Sequence, residues 1–468
     1  MDRYLKFKNS IELAVDEFKK INKQKPVRVI SHMDADGISA CSILIKALSN
    51  ENIGYSVTIV KQLTKGILYD LSHENYETFF FTDIGSGQIK DIRALLKGKK
   101  IFIFDHHKIE EDDKNIVHVN PELFNLSGST EISGAGVSYL FYKALTAKKN
   151  MAHIAVVGAI GDVQENNGFL KLNNEILEDA KKNKLLEVKK GLRIFGLNTK
   201  PLYKALQFST WPVIPGVTGS ESGSIQFLQE LGINPKYRNK WRMFSQLTER
   251  EIKKLTSGII VRRFEKDRPE DVFGPIYILI NEQEGPTKEA REYATLLNAC
   301  GRLDKASFGL GACLGDEQSK LKAITVLKNY KKELVNALNW FERNRGTTNI
   351  IESEGVVIIN AKSAIRDTLI GTIASILSKS NRYREGTCIL SMARNPEDDT
   401  TKLSLRIVGN ENDIDLKQVL KLMVLSVKGD YGGHKRAAGG RIPQDMEEEF
   451  IKNAIDVLGK VAIEEKIG

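Results

Sequence analysis

Short apolar runs alternate with helical segments through the first 120 residues of this 468-residue chain. The runs are rich in β-branched and aromatic residues, which favour strands. They lie at Val27–Ser31, Ser56–Val60, Phe79–Asp83, Ile101–Phe104 and Ile116–Val119. Strands that alternate with helices form a parallel sheet with helices on both faces, because each parallel crossover needs a helix. The sequence therefore predicts an α/β protein built on such a sheet.

Four segments place Asp or His side chains where an apolar run ends. They are His32-Met33-Asp34-Ala35-Asp36-Gly37, Asp83, Asp105-His106-His107 and Gly161-Asp162. In open α/β sheets, ligands bind outside the carboxyl ends of the strands. A single Asp before a helix is more often an N-cap. Four such segments in one predicted domain favour a shared site instead.

These residue types indicate a metal site. Carboxylates and imidazoles together suit Mn²⁺, Mg²⁺, Fe²⁺ or Zn²⁺. Alternate residues of an extended strand end project the same way, so His32, Asp34 and Asp36 can converge on one point. Five Asp and up to three His exceed the needs of one ion, and two ions about 3.5–4 Å apart with one bridging Asp would use them. None of the four cysteines forms a CxxC pair, which argues against structural zinc.

The length of the chain predicts two or three domains. We expect a parallel-sheet domain at 1–195, a mostly helical insert with a connecting helix at 196–345, and a smaller α/β domain at 346–468. Long helices are expected at 173–190 and 318–345. The glycine-rich segment at 427–442 is expected to form a loop.

Charge and hydropathy limit the classes of partner that this chain is expected to have. No stretch approaches about 18 consecutive apolar residues, so no membrane span is predicted. The N-terminus lacks the apolar core of a signal peptide, which favours the cytoplasm. The net charge of +9 permits a polyanionic partner. The basic stretch 239–268, which contains Trp241 and Phe244, either follows a nucleic-acid strand or forms a solvated face.

The motifs resemble those of a known superfamily. The four segments that carry these Asp and His side chains resemble motifs I to IV of the DHH phosphoesterases. Tyr431-Gly432-Gly433-His434 with Ala437-Ala438-Gly439 is similar to the glycine-His motif of the accompanying DHHA1 domain, although Tyr431 stands where many relatives have glycine. The Asp-Ala-Asp-Gly form of motif I is similar to RecJ nucleases. Four further segments resemble the archaeal RecJ-like exonucleases, which include the GINS-associated nuclease: Val60–Gln62, Asp83–Gly87, Thr295–Leu303 and Lys362–Leu369.

The resemblance implies roles for individual residues. His32 or Asp34 would hold one Mn²⁺ or Mg²⁺ ion together with Asp83. A second ion would be held by Asp36, Asp83, His106 and Asp162, with Asp83 as the bridge. His107 would face the substrate phosphate. Asp105 would not bind the metal itself but would orient His106. The expected nucleic-acid contacts are Arg302, Arg366, Arg406, Gly432, Gly433 and His434.

The resemblance also implies an activity. It predicts a metal-dependent, single-strand-specific exonuclease for DNA, RNA or both, in which two metal ions activate water, acting in DNA replication or repair. One alternative is a DHH phosphodiesterase or pyrophosphatase for small nucleotides. The other is a replisome scaffold that binds the GINS complex and single-stranded DNA beside the replicative helicase.

Overall fold

The computed structural model describes residues 2–165, 168–209, 212–264, 269–380, 382–409 and 414–467. It divides into two compact units. The first unit comprises Met1–Pro201 and Met243–Lys328, and the second comprises Leu202–Arg242 and Asn329–Gly468. Among the described residues, no helix is both long and apolar enough to cross a membrane.

A five-stranded parallel sheet forms the centre of the first unit, with strand order β2-β1-β3-β4-β5. The elements up to residue 182 are α1 (Arg3–Lys19), β1 (Val27–His32), α2 (Ala35–Asn50), β2 (Tyr55–Val60), α3 (Lys65–Ser72), β3 (Thr78–Thr82), α4 (Ile89–Leu95), β4 (Lys100–Phe104), β5 (Ile116–Val119), α5 (Gly134–Thr146), α6 (Ala152–Gly161) and α7 (Lys171–Lys182). The predicted α/β fold is confirmed, and each predicted strand is present.

Helices cover both faces of this sheet, because alternate residues of β3 and β4 point to opposite sides. On one face, Phe102 stacks on Phe80 with ring centroids 4.6 Å apart. Phe18 of α1 and Phe141 of α5 pack against these and neighbouring rings. The opposite face joins a buried cluster with α3 and α4 that includes Phe79, Phe81, Ile101, Ile103, Leu68 and Ile92. Burial on both sides explains why these strands are continuous apolar runs.

The next part of the chain mixes helices with two short antiparallel pairs of strands. Its elements are β6 (Leu186–Leu192), α8 (Leu202–Gln207), α9 (Glu221–Glu230), β7 (Lys236–Tyr237), β8 (Lys240–Trp241), α10 (Glu249–Arg262), β9 (Phe273–Leu279), α11 (Ala290–Arg302), α12 (Ala306–Cys313) and α13 (Glu317–Asn344). The predicted charged helix at 318–345 is α13. Of the basic stretch 239–268, residues 265–268 lie outside the described residues.

One predicted helix is partly wrong. The polar segment 173–190 was expected to be helical throughout, but α7 ends at Lys182 and the chain enters β6. Lys184 adopts a left-handed conformation (φ 54°), which stops the helix. β6 then pairs antiparallel with β9. That partner lies far along the sequence, so local periodicity did not reveal the strand.

The second unit contains a six-stranded sheet of order β10-β11-β12-β13-β15-β14. Its elements after α13 are β10 (Ile350–Ser353), β11 (Val356–Asn360), α14 (Asp367–Lys379), β12 (Cys388–Arg394), β13 (Thr400–Ile407), α15 (Leu416–Val424), β14 (Asp430–His434), β15 (Ala437–Pro443) and α16 (Glu447–Ile467). The glycine-rich segment is not the expected loop. It forms the hairpin of β14 and β15, because β13 offers β15 a full antiparallel ladder.

Phe102→Ala is expected to destabilise the first unit by about 3–5 kcal/mol, because it leaves a cavity among packed rings. Phe102 is fully buried, whereas Leu13 on α1 is 65% exposed. Leu13→Ala is therefore the control, with an expected change within about 0.5 kcal/mol. Urea unfolding followed by circular dichroism measures both. A loss below about 1 kcal/mol for Phe102→Ala would contradict this packing.

Candidate metal centre

Three neighbouring strands present polar side chains at one edge of the parallel sheet. His32 is the last residue of β1, Asp83 follows β3 and Asp105 follows β4. Asp34 is the N-cap of α2, and its carboxylate accepts the Gly37 N–H at 2.9 Å. The C-cap of α6 supplies the fourth contribution, Asp162. The segments singled out from the sequence therefore meet in space.

Within the described residues, ligand-type atoms form three overlapping groups, in each of which they lie within 4.8 Å of one another. The groups are His32, Asp34 and Asp83; Asp36, His106 and Asp162; and Asp83, Asp105, His106 and His107. The Nε2 atom of His106 lies 3.2 Å from Asp83 Oδ1 and 3.8 Å from Asp162 Oδ2. The Nδ1 atom of His32 lies 3.6 Å from the other Asp83 oxygen. Asp83 is thus positioned between the two histidines.

The carboxylate of Asp83 is buried next to the imidazoles of His32 and His106. Its residue is 1% exposed, and neither oxygen accepts a hydrogen bond from the described residues. Its backbone has a φ of 58° and its N–H donates to the Phe104 carbonyl at 2.8 Å, which fixes the turn. A Cβ on Gly134 would lie 2.6 Å from Asp83 Oδ1, so only glycine lets α5 approach this closely. Because a buried carboxylate without donors is costly, this arrangement fits a bound cation.

His106 is oriented as metal-binding histidines usually are. Its Nδ1 lies 2.5 Å from the Gly128 carbonyl, which makes Nδ1 a protonated nitrogen and directs Nε2 towards the carboxylates. Gln164 donates to the same carbonyl at 2.7 Å and to Asp162 Oδ2 at 2.8 Å. Gln164 was missed by the sequence analysis, since an amide two residues after an Asp carries no distinguishing signal.

Asp105 differs from its predicted role. Its Oδ1 accepts the His107 Nδ1–H at 2.7 Å and the His106 backbone N–H at 2.8 Å, and its Oδ2 accepts the Ser86 N–H at 3.0 Å. The ring it orients is therefore that of His107, because the His106 ring is already held by Gly128. Burial opposes the charge on His107, but Asp105 and Asp83 outweigh it and raise its pKa to about 9.

The carboxylates of Asp36, Asp83 and Asp162 lie close enough to repel one another. Asp36 accepts the backbone N–H groups of Gly134 at 2.7 Å and Ala135 at 3.1 Å, at the start of α5. Burial, reinforced by the charge of Asp83, raises the pKa of Asp36 well above its usual value. Burial also raises the pKa of Asp162 to about 6, with His106 opposing and Asp83 reinforcing. A divalent cation would relieve this repulsion.

The helix α11, which is distant in sequence, contacts the segment between β1 and α2 that carries Asp34. The Asn298 side chain on α11 accepts the Ala35 N–H at 3.1 Å, at the start of α2. Gly301 packs so closely that a Cβ there would lie 1.7 Å from the Met33 carbonyl oxygen. Arg302, a predicted substrate contact, is the last residue of α11. The segment containing Asn298 was noted in the sequence, but its contact with α2 was not predicted.

The other predicted substrate contacts lie in the second unit, so they are not part of this cluster. Arg366 is the N-cap of α14 and its Nε lies 3.1 Å from a Glu333 oxygen. Arg406 on β13 donates to the carbonyls of Leu405 and Ala438. Gly432 and Gly433 lie on β14. The His434 side chain lies outside the part of the structure that is described.

Comparison with known proteins identifies the family. Residues 26–161 match the DHH family N-terminal domain, 194–273 match the DHH-CID domain and 354–460 match the DHHA1 domain. An uncharacterized protein of Methanocaldococcus jannaschii is 30% identical over 466 residues, which cover 97% of this chain and 98% of that protein. This chain is a RecJ-like member of the DHH/DHHA1 family.

Two solved proteins share the fold of this RecJ-like chain. RecJ of Thermus thermophilus is 28% identical over 155 residues, 31% of this chain and 23% of RecJ. Its structure in complex with Mn²⁺ aligns with a TM-score of 0.57 and 17% identity, over 97% of this chain and about half (55%) of that chain. CDC45 from Entamoeba histolytica aligns with a TM-score of 0.66 and 13% identity, over 97% and 99%.

Asp162→Asn is expected to stabilise the metal-free protein at pH 8. Folding raises the pKa of Asp162 from 3.8 to about 6, so the folded state binds this proton more tightly than the unfolded state. The wild type therefore loses stability as the pH rises from 3.8 through 6, and the variant does not. Allowing for its partial exposure, the gain at pH 8 is about 1–2 kcal/mol.

Urea unfolding in EDTA at pH 5 and pH 8 measures this gain, which should be larger at pH 8. Asp16→Asn, at a side chain that is 63% exposed, is the control and should change little at either pH. A variant less stable than the wild type at pH 8 would contradict the crowding of charge around Asp162.

Asn298→Ala is expected to cost about 1–2 kcal/mol, because it leaves the Ala35 N–H without an acceptor. Thr295→Ala on the same helix is the matched control, since the Thr295 hydroxyl donates to the Arg291 carbonyl within α11. Urea unfolding of the metal-free variants compares them. Equal losses for the two variants would show that the bond to α2 does not matter.

Proposed function

We propose that this RecJ-like protein is a metal-dependent exonuclease that hydrolyses phosphodiester bonds in single strands of DNA, RNA or both, in DNA replication or repair. One observation carries the proposal: the buried Asp83 carboxylate lies between two histidines and accepts no hydrogen bond from the described residues. The relative from Thermus thermophilus is named a single-stranded-DNA-specific exonuclease, and its structures contain Mn²⁺ or Mg²⁺. These metals are the proposed cofactors, as a pair of ions.

The proposed ligands follow the geometry of the cluster. One ion would be held by His32, Asp34 and Asp83, and the other by Asp36, Asp83, His106 and Asp162, so that Asp83 is shared. When bound, such ions lower the pKa of water and neutralise charge on the phosphate. Several protein contacts prepare these ligands in advance: Gly128 fixes the His106 tautomer and the α5 amides hold Asp36.

His107 is the proposed phosphate contact. Its side chain is 49% exposed, and its pKa of about 9 keeps it protonated at neutral pH. Asp105 fixes the ring through Nδ1, which leaves the other nitrogen as a donor. The chain thus supplies a cation at the cluster that does not depend on bound metal. Arg302, Arg366, Arg406, Gly432, Gly433 and His434 are proposed as further contacts to the nucleic acid.

A second candidate function is a replisome scaffold that binds the GINS complex, the replicative helicase and single-stranded DNA. It is favoured by the fold match to CDC45, which covers 99% of that chain. The intact cluster favours an enzyme, because a scaffold has no need of a buried carboxylate without donors. A cytoplasmic location and the domain limits at 195 and 345 stay predictions.

The decisive experiment digests single-stranded and duplex oligonucleotides of DNA and RNA, labelled at either end, with Mn²⁺, Mg²⁺ or EDTA. We expect stepwise shortening of single strands, slower attack on duplexes and no cleavage in EDTA. Asp83→Asn should lower the rate more than about 100-fold, beyond the effect of disturbing an outer partner of a ligand. Asp16→Asn, an exposed change on α1, is the control and should leave the rate unchanged.

Other outcomes distinguish the alternatives. Equal rates on single strands and duplexes would refute strand specificity. Hydrolysis of dinucleotides without attack on longer strands would indicate a small-nucleotide phosphodiesterase. Binding of single strands and of GINS without metal-dependent cleavage would leave only the scaffold.

A further inference from the structure

A short hairpin in the insert carries exposed aromatic and basic side chains that the proposed nuclease site does not use. β7 and β8 pair with Lys236 opposite Trp241 and Tyr237 opposite Lys240. The turn between them consists of Arg238 and Asn239, with φ values of 48° and 61°. Such two-residue turns favour Asn-Gly, and an L-residue in this conformation costs roughly 1–2 kcal/mol. An arginine thus stands at a tip where glycine would be unstrained.

The pairing register separates the hairpin into two faces. Residues directly opposite each other share a face, so Lys236 and Trp241 lie on one and Tyr237 and Lys240 on the other. The Lys236 ammonium lies 5.1 Å from the centre of the Trp241 ring. Trp241 also packs on Tyr203 of α8, with centroids 4.2 Å apart. We call the face of Lys236 and Trp241 the tryptophan face.

Further groups extend the tryptophan face along α8. Lys204 lies 5.2 Å from the Tyr203 ring and 5.5 Å from the ring of Phe208. Trp241 is 38% exposed and Phe208 is 45% exposed, whereas Tyr203 is buried. Three cation–ring contacts thus follow this surface: Lys236 lies over Trp241, and Lys204 lies over both Tyr203 and Phe208.

The charge of the hairpin is unbalanced. Within the described part of the chain, Lys236, Arg238 and Lys240 form no ion pair with a carboxylate, whereas Lys204 pairs with Glu221 at 2.6 Å. On the tryptophan face, Lys236 beside Trp241 and Arg238 at the tip are therefore not neutralised by any described carboxylate. Base stacking on aromatic rings combined with phosphate attraction to nearby cations is how proteins hold single strands without reading sequence. A purely apolar partner would leave these cations unpaired on burial.

We propose that the tryptophan face is a binding site for single-stranded nucleic acid, distinct from the metal centre. Trp241 and Phe208 stack on bases, and Lys236 with Arg238 at the tip contacts phosphates. The site tolerates any sequence, because every base offers a flat face to a ring. It does not depend on the proposed hydrolysis, since neither ring nor lysine belongs to the metal cluster.

The test measures binding of fluorescent 20-nucleotide strands to the full-length protein in EDTA, which prevents metal-dependent cleavage. Separate arms use single-stranded DNA, single-stranded RNA and duplex DNA over a range of salt. Trp241→Ala should weaken single-strand binding about tenfold through lost stacking. Lys236→Glu should weaken binding. It should also reduce the slope of log affinity against log salt concentration by about one, which corresponds to the loss of one phosphate contact.

The opposite face provides matched controls. Tyr237→Ala also removes one exposed ring, and Lys240→Glu makes the same change in charge, so both should alter affinity less than about twofold if the tryptophan face is the site. Trp241→Leu keeps an apolar contact with Tyr203 but cannot stack on a base. It should therefore also weaken binding about tenfold. This variant keeps the test valid if Trp241→Ala fails to fold. Circular dichroism checks the fold of each.

Equal losses for the variants of both faces would overturn the proposal in favour of general electrostatic attraction. Unchanged binding in the tryptophan-face variants would also overturn it, and would assign the surface to a protein partner. A protein that binds strands through this face but cleaves none would support the site and refute the nuclease. If the Trp241 and Lys236 variants bind strands as the wild type does and the protein still cleaves them, the nuclease proposal would stand and the binding site would be refuted.

Discussion

A buried carboxylate that accepts no hydrogen bond from the described residues is the constraint on which the candidate metal centre depends. Asp83 is held in a left-handed turn at the end of β3 and closed in by Gly134 at the start of α5. These contacts stabilise the position of the carboxylate but do not compensate its charge. The buried charge costs free energy of folding. Burial of the aromatic core of the sheet offsets that cost.

Two aspartates at equivalent strand ends illustrate how neighbours determine chemistry. Asp83 and Asp105 follow adjacent parallel strands and are equally buried. Burial alone would raise the pKa of Asp105, but His107 and the Ser86 N–H hold it well below its usual range. Asp105 is therefore a satisfied anion that orients a histidine, whereas Asp83 stays available to a cation. The difference arises from the donors, because the residue type and strand position are the same.

Much of this arrangement could be predicted from the sequence because it is local. Five apolar runs specified the parallel sheet, and the residues after them specified which side chains meet at its edge. What could not be predicted depended on contacts between distant segments. The partner of Asp105 depends on Gly128 having already bonded His106, and β6 depends on β9. The glycine-rich segment became strands because β13 supplied a ladder, which outweighs the weak strand propensity of glycine.

The support of α2 by Asn298 has a consequence for biosynthesis. Every residue of the acidic and histidine cluster lies at or before Asp162, whereas the side chain that accepts the Ala35 N–H lies on α11. On the ribosome, every residue of the cluster is therefore translated before the side chain that bonds the start of α2. During that interval the loop bearing Asp34 and Asp36 lacks the bond from α11. The hydrogen bond that ties this loop to α11 can form only after α11 has been translated.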